Sequence, residues 1–266
     1  MNKSQKNTIK NLRTNILKLS HKAKSSHIGG CLSIVEILSV LFNNILKGFS
    51  SRKKTFKDTF ILSKGHACLA LYCMLYEKKI LSKKILFSYG ENNSLLMSHA
   101  SHHVPGVKFS TGSLGHGLPV AIGSALVAKN EKKNRKVYVL ISDGELNEGT
   151  TWESLMFAAH HKIDNLCVII DYNKLQSLTF VSNTIKLEPL TKKIKSFGCE
   201  VKNINGHNIT QLKRALIFKN KKKPRVVIAN TIKGKGISFM ENNIAWHYKS
   251  PNFLELSKAL KEVNDA

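Results

Sequence analysis

The chain has 266 residues, enough for one large domain or two small ones, and 42% of them are hydrophobic, which is typical of a globular protein. The start, "MNKSQKNTIKNLR", lacks the apolar core of a signal peptide, and no apolar run approaches the length of a membrane span. Five cysteines form no CxxC pair, so we expect reduced thiols and a cytoplasmic protein without a membrane partner.

The formal net charge of +25 comes from 42 Lys and Arg against 17 Asp and Glu. Only five of the basic residues are arginine, whereas a surface that reads nucleic acid is expected to use more of the arginine forks that bind phosphates and bases. The lysines are scattered along the chain, with short runs at "SRKK" and "NKKKPR". We interpret the excess as a lysine-rich solvated surface and expect no specific nucleic acid partner.

The first predicted elements are helical. Apolar residues recur at spacings of three and four, which predicts an amphipathic helix over residues 4–21. A second helix is predicted from a Ser33 cap to Leu46, with Glu36 completing a capping box. The stretch "GFSSRKKTFKD", residues 48–58, then has the composition of a surface loop.

The rest of the chain alternates between strands and helices. Strongly apolar, β-rich segments lie at 58–62, 137–142, 166–171 and 225–231, and helical stretches at 66–79, 115–129, 151–162 and 208–219. The last residues form one amphipathic helix, with Phe253, Leu256 and Leu260 on one side. Strands without polar alternation, separated by helices, predict an α/β fold in which helices cover both faces of a parallel twisted sheet.

Polar residues follow the predicted strands at their carboxyl ends, where ligands bind in such sheets. In "VLISDGELNEG" an apolar run stops at Asp143, and Asn173 follows the next strand after one helical crossover. A carboxylate, an amide oxygen and the backbone carbonyl of Leu175 are hard oxygen ligands that suit Mg²⁺ or Ca²⁺, with water and phosphate completing the shell. The sequence therefore predicts a metal site at this edge.

A glycine-rich stretch, "STGSLGHGLPVAIG", begins a predicted helix with Gly112, Gly115 and Gly117. Free backbone N–H groups and the helix dipole favour an anion at such a position. The metal ligands and this cradle together describe a metal–diphosphate site.

At this point the residues resemble a known family. "SDG" followed after 28 residues by Asn173 resembles the thiamine diphosphate motif. Six motifs follow the order of the amino-terminal region of the transketolases: "SSHIGGCLSIVEIL", "FILSKGHA", "STGSLGHG", "SDGELNEGTTWE", "DYNKLQ" and "KGKGISFMENNIAWH". The chain is similar to the N-terminal subunit of the split bacterial transketolases. Ser142 stands where that family usually has Gly.

The resemblance implies a fold and a set of roles. It implies one thiamine diphosphate-binding domain of the diphosphate type over residues 1–266, beginning with a helical segment. The implied Mg²⁺ ligands, with Ca²⁺ as a substitute, are Asp143, Asn173 and the Leu175 carbonyl. The implied contacts to thiamine diphosphate are His66, Gly112, Ser113, Leu114, Gly144, Asn173 and His247. The implied catalytic residues are His27, His247 and His99, the last in "MSHAS" where the family has Gly-His-Pro.

The resemblance also implies a partner. In the family a second, pyrimidine-type domain supplies the activating glutamate and the contacts to the sugar phosphate, and we expect it on a separate C-terminal chain. The implied assembly is a heterotetramer that moves a two-carbon ketol group from a ketose phosphate to an aldose phosphate, and this chain is expected to be inactive alone.

Two alternatives stay open at this stage. The chain is also compatible with a subunit of another thiamine diphosphate enzyme, such as deoxyxylulose-phosphate synthase or a 2-oxo acid dehydrogenase. The other alternative is a non-catalytic basic binding protein that retains the fold.

Overall fold

The computed structural model of the chain describes residues 3–49, 56–219 and 222–265. The helices are α1 (Lys3–Ala23), α2 (Ile28–Leu32), α3 (Val35–Val40), α4 (Cys68–Glu77), α5 (Lys83–Phe87), α6 (Gly117–Asn130), α7 (Gly149–His160), α8 (Val181–Thr184), α9 (Leu190–Ser196), α10 (Ile209–Leu216) and α11 (Phe253–Asp265). The strands are β1 (Thr59–Leu62), β2 (Val137–Ser142), β3 (Leu166–Tyr172), β4 (Glu200–Asn205) and β5 (Arg225–Asn230). Of the predicted loop at 48–58 and the "SRKK" run, residues 50–55 lie outside these ranges.

The strands form one parallel sheet in the order β1-β2-β3-β5-β4. The predicted α/β class is therefore confirmed. Alternate side chains of β2 point to opposite faces of the sheet, as the twofold period of a strand requires. Tyr138 and Leu140 pack with α1, α3, α4 and α10, whereas Val139 and Ile141 pack with α6, α7 and α9. Both faces are covered, and the central strands are fully buried.

β4 is not among the predicted strands. Its six residues are partly or fully exposed, and Lys202 and Asn203 interrupt any apolar run. It pairs only with β5 and forms one edge of the sheet. An edge strand that faces water carries a weak apolar signal, so no local pattern separates it from a loop.

The predicted helix from Ser33 to Leu46 is wrong at its start. Ser33 ends α2 instead of capping the next helix, and the residue before α3 is Ile34. The Ser33 hydroxyl donates to Asp171, at 2.7 Å, and to the Gly30 carbonyl. Glu36 does not form a capping box, because its carboxylate pairs with Arg13. The helix continues past α3 as one π-helical turn over Leu41–Ile45.

The helices α1 and α11 lie where terminal helices were predicted, so both predictions are confirmed. The two helices pack against each other. In α11 the buried residues are Ala259 and Val263, with Leu256 and Leu260 packed beside them. Phe253, at the first position of α11, is 70% exposed and does not join the buried cluster. Across the described ranges, no helix combines the length and the apolar character needed to cross a membrane.

Candidate active site at the carboxyl edge of the sheet

A pocket of about 320 Å³ opens where β1, β2, β3 and β5 end. Parallel strands bring their carboxyl ends to one edge, so residues far apart in sequence meet there. The pocket is lined by most of the predicted site residues: His27, His66, His99, Gly112, Leu114, Asp143, Gly144, Asn173, Leu175 and His247.

The three predicted metal ligands lie on the turns after β2 and β3. Asp143 Oδ2 accepts a hydrogen bond from the Lys174 N–H at 2.6 Å, which joins the two turns. Asn173 Oδ1 accepts from the Leu175 N–H at 3.1 Å, and its amide nitrogen donates to Asp171. These bonds fix the Asp143 carboxylate and the Asn173 amide against the same pocket.

Burial first, and then the nearby carboxylate of Asp171, raise the pKa of Asp143 to about 7. A fully buried carboxylate with a raised pKa is stabilised in its charged form by a bound cation. No group of three or more His, Cys, Asp or Glu side chains placed to hold a metal occurs within the described ranges. The donor set fits a hard divalent ion that takes one carboxylate, amide and carbonyl oxygens, and further oxygens from water or a diphosphate.

Two polar atoms of the pocket lining are buried without a hydrogen-bond partner among the described residues. They are Oδ1 of Asn147 and Nε2 of Gln176. A buried polar group without a partner is costly, and such groups in native proteins commonly bind water or a ligand. Both atoms fit a polar ligand in this pocket, and neither residue stands out in the sequence.

The glycine-rich stretch contributes less to the pocket than the sequence predicts. Gly112 and Leu114 line it, but Ser113 is exposed and does not. The Gly115 N–H donates to Glu145 at 3.1 Å, so it is already satisfied. A Cβ on Gly117 would lie 2.4 Å from Ser63 Oγ. Both glycines therefore allow close packing, and the Gly115 N–H is not free to bind the predicted anion.

Glu145, one of three acidic residues in "SDGELNE", turns away from the pocket. Its carboxylate accepts hydrogen bonds from the Ser63 hydroxyl at 2.5 Å, the Gly115 N–H and the Ser142 N–H. Burial raises the pKa of this carboxyl above its ordinary value. Glu145 therefore ties the ends of β1 and β2 to the glycine-rich stretch.

Four histidines from separate sequence motifs meet in the pocket. The ring centroid of His27 lies 5.2 Å from that of His66, 6.0 Å from that of His99 and 5.0 Å from that of His247. His27 has a left-handed backbone with φ of 70°, and its N–H donates to the His247 carbonyl at 2.6 Å. This strained conformation aims its ring at the others, and such strain is common at functional sites.

Three of these rings are neutral at neutral pH. Burial first, and then His99, Lys233 and Lys64, lower the pKa of His27 to about 4. Burial and then Lys233 lower the pKa of His247 to about 3, while burial and Lys64 lower that of His66. Neutral imidazoles exchange protons with hydroxyl groups without a fixed positive charge.

Two buried lysines at the pocket are not among the predicted site residues. Lys64 follows β1, and only 1% of the residue is exposed. Its ammonium lies 2.5 Å from Asp171 Oδ2. Lys233, after β5, donates to the carbonyls of Leu175 at 3.3 Å and Gln176 at 2.8 Å. "SKGHA" and "KGKG" look like surface turns in a lysine-rich chain. Both lysines lie in quoted motifs that follow strands, but nothing in those motifs distinguishes a buried lysine from a solvated one.

The fold and the pocket together define a thiamine diphosphate-binding domain, and comparisons with known proteins agree. The family model described as "Transketolase, thiamine diphosphate binding domain" matches residues 3–253. The chain is 43% identical over 245 residues to one of the subunits of the apulose-4-phosphate transketolase from Actinobacillus succinogenes, covering 90% of this chain and 88% of that one. The chain belongs to the transketolase thiamine diphosphate-binding domain family.

Other relatives show the same relationship. The corresponding apulose-4-phosphate transketolase subunit from Phocaeicola vulgatus is 38% identical, covering 95% of this chain and 91% of that one. The transketolase structure from Campylobacter jejuni superposes with a TM-score of 0.88 at 29% identity over 99% of this chain. The chain spans 43% of the length of that structure. The resemblance of this chain to the amino-terminal transketolase region is thus confirmed.

Proposed function

We propose that the chain is the N-terminal subunit of a two-chain transketolase. It transfers a two-carbon ketol group from a ketose phosphate to an aldose phosphate, with Mg²⁺ and thiamine diphosphate. One observation carries the proposal: the Asp143 carboxylate, the Asn173 amide and four histidines line a single pocket at the strand ends. That combination supplies metal ligands and proton-transfer groups within one small volume.

The cofactor would be held by groups from several turns. Asp143, Asn173 and the Leu175 carbonyl are the proposed ligands for Mg²⁺, for which Ca²⁺ is a substitute. Gly112, Leu114, Gly144 and His66 are proposed to contact thiamine diphosphate, whereas the exposure of Ser113 speaks against the same role. When bound, thiamine diphosphate supplies an electron sink for breaking and making a carbon–carbon bond beside a carbonyl.

His27 and His247 are proposed to move protons to and from sugar hydroxyls. The Lys233 ammonium donates to His247 Nδ1 at 2.9 Å, so Nδ1 is the acceptor and Nε2 carries the ring proton. His247 therefore begins as a hydrogen-bond donor towards the pocket. His27 and His99 face the same space, and His99 is proposed to orient the substrate.

The partner is proposed to be a C-terminal transketolase chain that carries the activating glutamate. The Actinobacillus succinogenes and Phocaeicola vulgatus relatives are named as transketolase subunits and match over most of their length, which supports a second chain. We propose a heterotetramer in the cytoplasm. The five cysteines are buried and unpaired, in keeping with a reducing compartment.

The substrate class is proposed to be an anionic ketose. One relative is named for apulose-4-phosphate and another, from Clostridium, for 6-deoxy-6-sulfo-D-fructose. Both names describe sugars that carry an acidic group. The buried ammonium groups of Lys64 and Lys233 raise the electrostatic potential of the pocket and favour such ligands.

The test uses the chain together with the C-terminal transketolase chain of the same organism. Calorimetry with Mg²⁺ and thiamine diphosphate should detect tight binding by the two chains together. The two chains together, and neither chain by itself, should consume a ketose phosphate when an aldose phosphate is added. His27→Asn tolerates the left-handed backbone and should lower kcat/KM by roughly 10²–10⁴-fold. Absence of cofactor binding in the pair, or full turnover by this chain alone, would contradict the proposal.

A further inference from the structure

A second cavity lies on the opposite side of the segment that carries Lys233. Its volume is about 440 Å³, within the range of small-molecule sites. It is bordered by α1, by the end of α11 and by the turn that follows Lys233. None of the residues that line the candidate active site lines this cavity.

The two lysines of the "KGKG" segment line different cavities. Lys233 lines the candidate active site, whereas Lys235 and Gly236 line the second cavity. Gly234 and Gly236 have φ of 81° and 91°, left-handed values that allow the chain to turn between the two lysines. A Cβ on Gly236 would lie 2.5 Å from Arg13 Nε, so the backbone packs directly on that guanidinium.

Four of the residues that line this cavity are lysine or arginine, against one glutamate. Arg13, 8% exposed, and the lysines at positions 6 and 10 follow one another along α1 on one face, and Lys235 faces them from the turn. Lys10 Nζ donates only to the carbonyl of Asn264 among the described residues, at 3.3 Å. The formal charge of +25 adds to the positive potential here.

The acidic groups near the cavity are already engaged. Glu36 accepts from Arg13 Nη2 at 2.7 Å and from His207 Nδ1 at 3.0 Å. The Ile232 N–H donates to His207 Nε2, so the ring proton is on Nδ1 and points to Glu36. Arg13 and His207 hold the pKa of Glu36 below its ordinary value, although burial alone would raise it. Glu241 pairs with Lys235 at 3.0 Å.

Arg13 retains donor capacity after these contacts. Its Nε donates to the Lys235 carbonyl at 3.0 Å and its Nη2 to Glu36, whereas Nη1 has no hydrogen-bond partner within the described ranges. A guanidinium offers donors in a planar fork that matches two oxygens of a phosphate. A lysine ammonium also binds phosphate, as a point charge.

We propose that this cavity binds a small molecule bearing a phosphate group, held by Arg13 and by the ammonium groups of Lys10 and Lys235. The site is separate from the proposed thiamine diphosphate site and does not depend on it. Its ligand is anionic and no larger than a phosphorylated sugar, since the cavity holds about 440 Å³.

The test is a titration of the full chain with inorganic phosphate, followed by NMR of a sample labelled with ¹⁵N-arginine. The chain has five arginines and none lines the candidate active site, so phosphate bound in that site makes no direct contact with an arginine. We expect a saturable shift of that signal, with a Kd on the order of 1 mM. Sodium chloride at matched ionic strength should give no saturable shift.

Lys10→Ala and Lys235→Ala should each raise the Kd for phosphate by about tenfold, the loss expected for one charge-assisted hydrogen bond. Lys235→Ala keeps the backbone carbonyl that Arg13 binds, so the fold should persist. Lys18→Ala is the matched control, because Lys18 is an exposed lysine of α1 outside the cavity. A non-saturable response, an equal response to chloride, or a wild-type Kd in both cavity variants would overturn the proposal.

Discussion

The Nζ atom of Lys233 lies 2.9 Å from Nδ1 of His247, and this contact determines which nitrogen of the ring carries its proton. Burial and the neighbouring ammonium of Lys64 lower the pKa of Lys233 to about 8, so the side chain is still mainly charged at neutral pH. The same charge opposes protonation of His247. A lysine that the sequence analysis gave no role thus sets both the tautomer and the basicity of a proposed catalytic histidine.

Replacing Lys233 with Met should raise the pKa of His247 from about 3 towards its ordinary value, because a positive charge next to the ring is removed. The pKa of His27 should rise in the same variant, since Lys233 also lowers it. A pH titration of the histidine ring signals by NMR measures both. Lys249→Met is the control: Lys249 is two residues from His247 in sequence but lies over the Trp246 ring and pairs with Glu255. Equal shifts in the two variants would contradict the assignment.

Asp143→Asn should abolish the effect of Mg²⁺ on thiamine diphosphate binding, measured by calorimetry with the partner chain present.

The same variant also tests how the stability of the metal-free chain depends on pH. The pKa of Asp143 is raised from 3.8 to about 7, so its contribution to stability is complete below about pH 4 and is lost as the pH rises through about 7. As the pH rises from about 4 to about 7, the wild-type chain should therefore lose stability relative to Asp143→Asn.

The matched control for the metal test is Glu153→Gln, which removes an exposed carboxylate of α7 that does not line the pocket. It should retain the Mg²⁺ dependence of wild type. If Asp143→Asn binds the cofactor as tightly as wild type in Mg²⁺, the metal assignment is wrong.

Lys64→Met should lower the free energy of unfolding by roughly 3–5 kcal/mol, because it leaves the Asp171 carboxylate buried without its counter-ion. That carboxylate is fully buried, and Lys64 holds its pKa below its ordinary value although burial alone raises it. Chemical denaturation measures the change.

The double variant Lys64→Met/Asp171→Asn tests whether the two residues act as a pair. It should be less destabilised than the sum of the two single variants, because no isolated charge remains. Additive losses would show that the hydrogen bonds of Asp171 to Ser33 and Thr231, and not the ion pair, dominate.

Gly115→Ala should destabilise the chain by about 1–3 kcal/mol, because its φ of 80° is unfavourable for alanine and the new Cβ would lie 2.5 Å from Thr150 Oγ1. Gly123→Ala is the matched control within α6, where no atom lies within 4 Å of the new Cβ. It should stabilise the chain by roughly 0.5–1 kcal/mol, because alanine is the better helix former. Thermal unfolding distinguishes them, and changes of the same sign would contradict the packing role of Gly115.

Most of the sheet could be predicted because β1, β2, β3 and β5 are continuous apolar runs, the pattern of strands buried on both faces. Asp143 and Asn173 could be placed because a single crossover separates them and both follow such runs. The helix break at Ser33 could not, since it depends on a hydrogen bond to Asp171, 138 residues away in the chain.

The lysine-rich composition of the chain makes the two buried lysines of the site hard to recognise from the sequence. Among 42 basic residues, nothing local distinguishes Lys64 from a solvated lysine, and its burial follows only from the carboxylate that the fold brings to it. The prediction that Gly115 exposes its N–H to an anion is wrong for a related reason. The local sequence does not distinguish a glycine needed for close packing from one that exposes its N–H to an anion. Here the Gly115 N–H donates to the Glu145 carboxylate, so it is not exposed to an anion.

The outer edge of the sheet has a consequence for the behaviour of the chain at high concentration. β4 presents unpaired backbone groups along one side, and an open edge is a template on which a second molecule can add a strand. Lys202 projects from the middle of this strand and is exposed. A charged, exposed lysine in the middle of an edge strand opposes the addition of another strand, so Lys202 disfavours strand-by-strand polymerisation and amyloid-like growth at this edge.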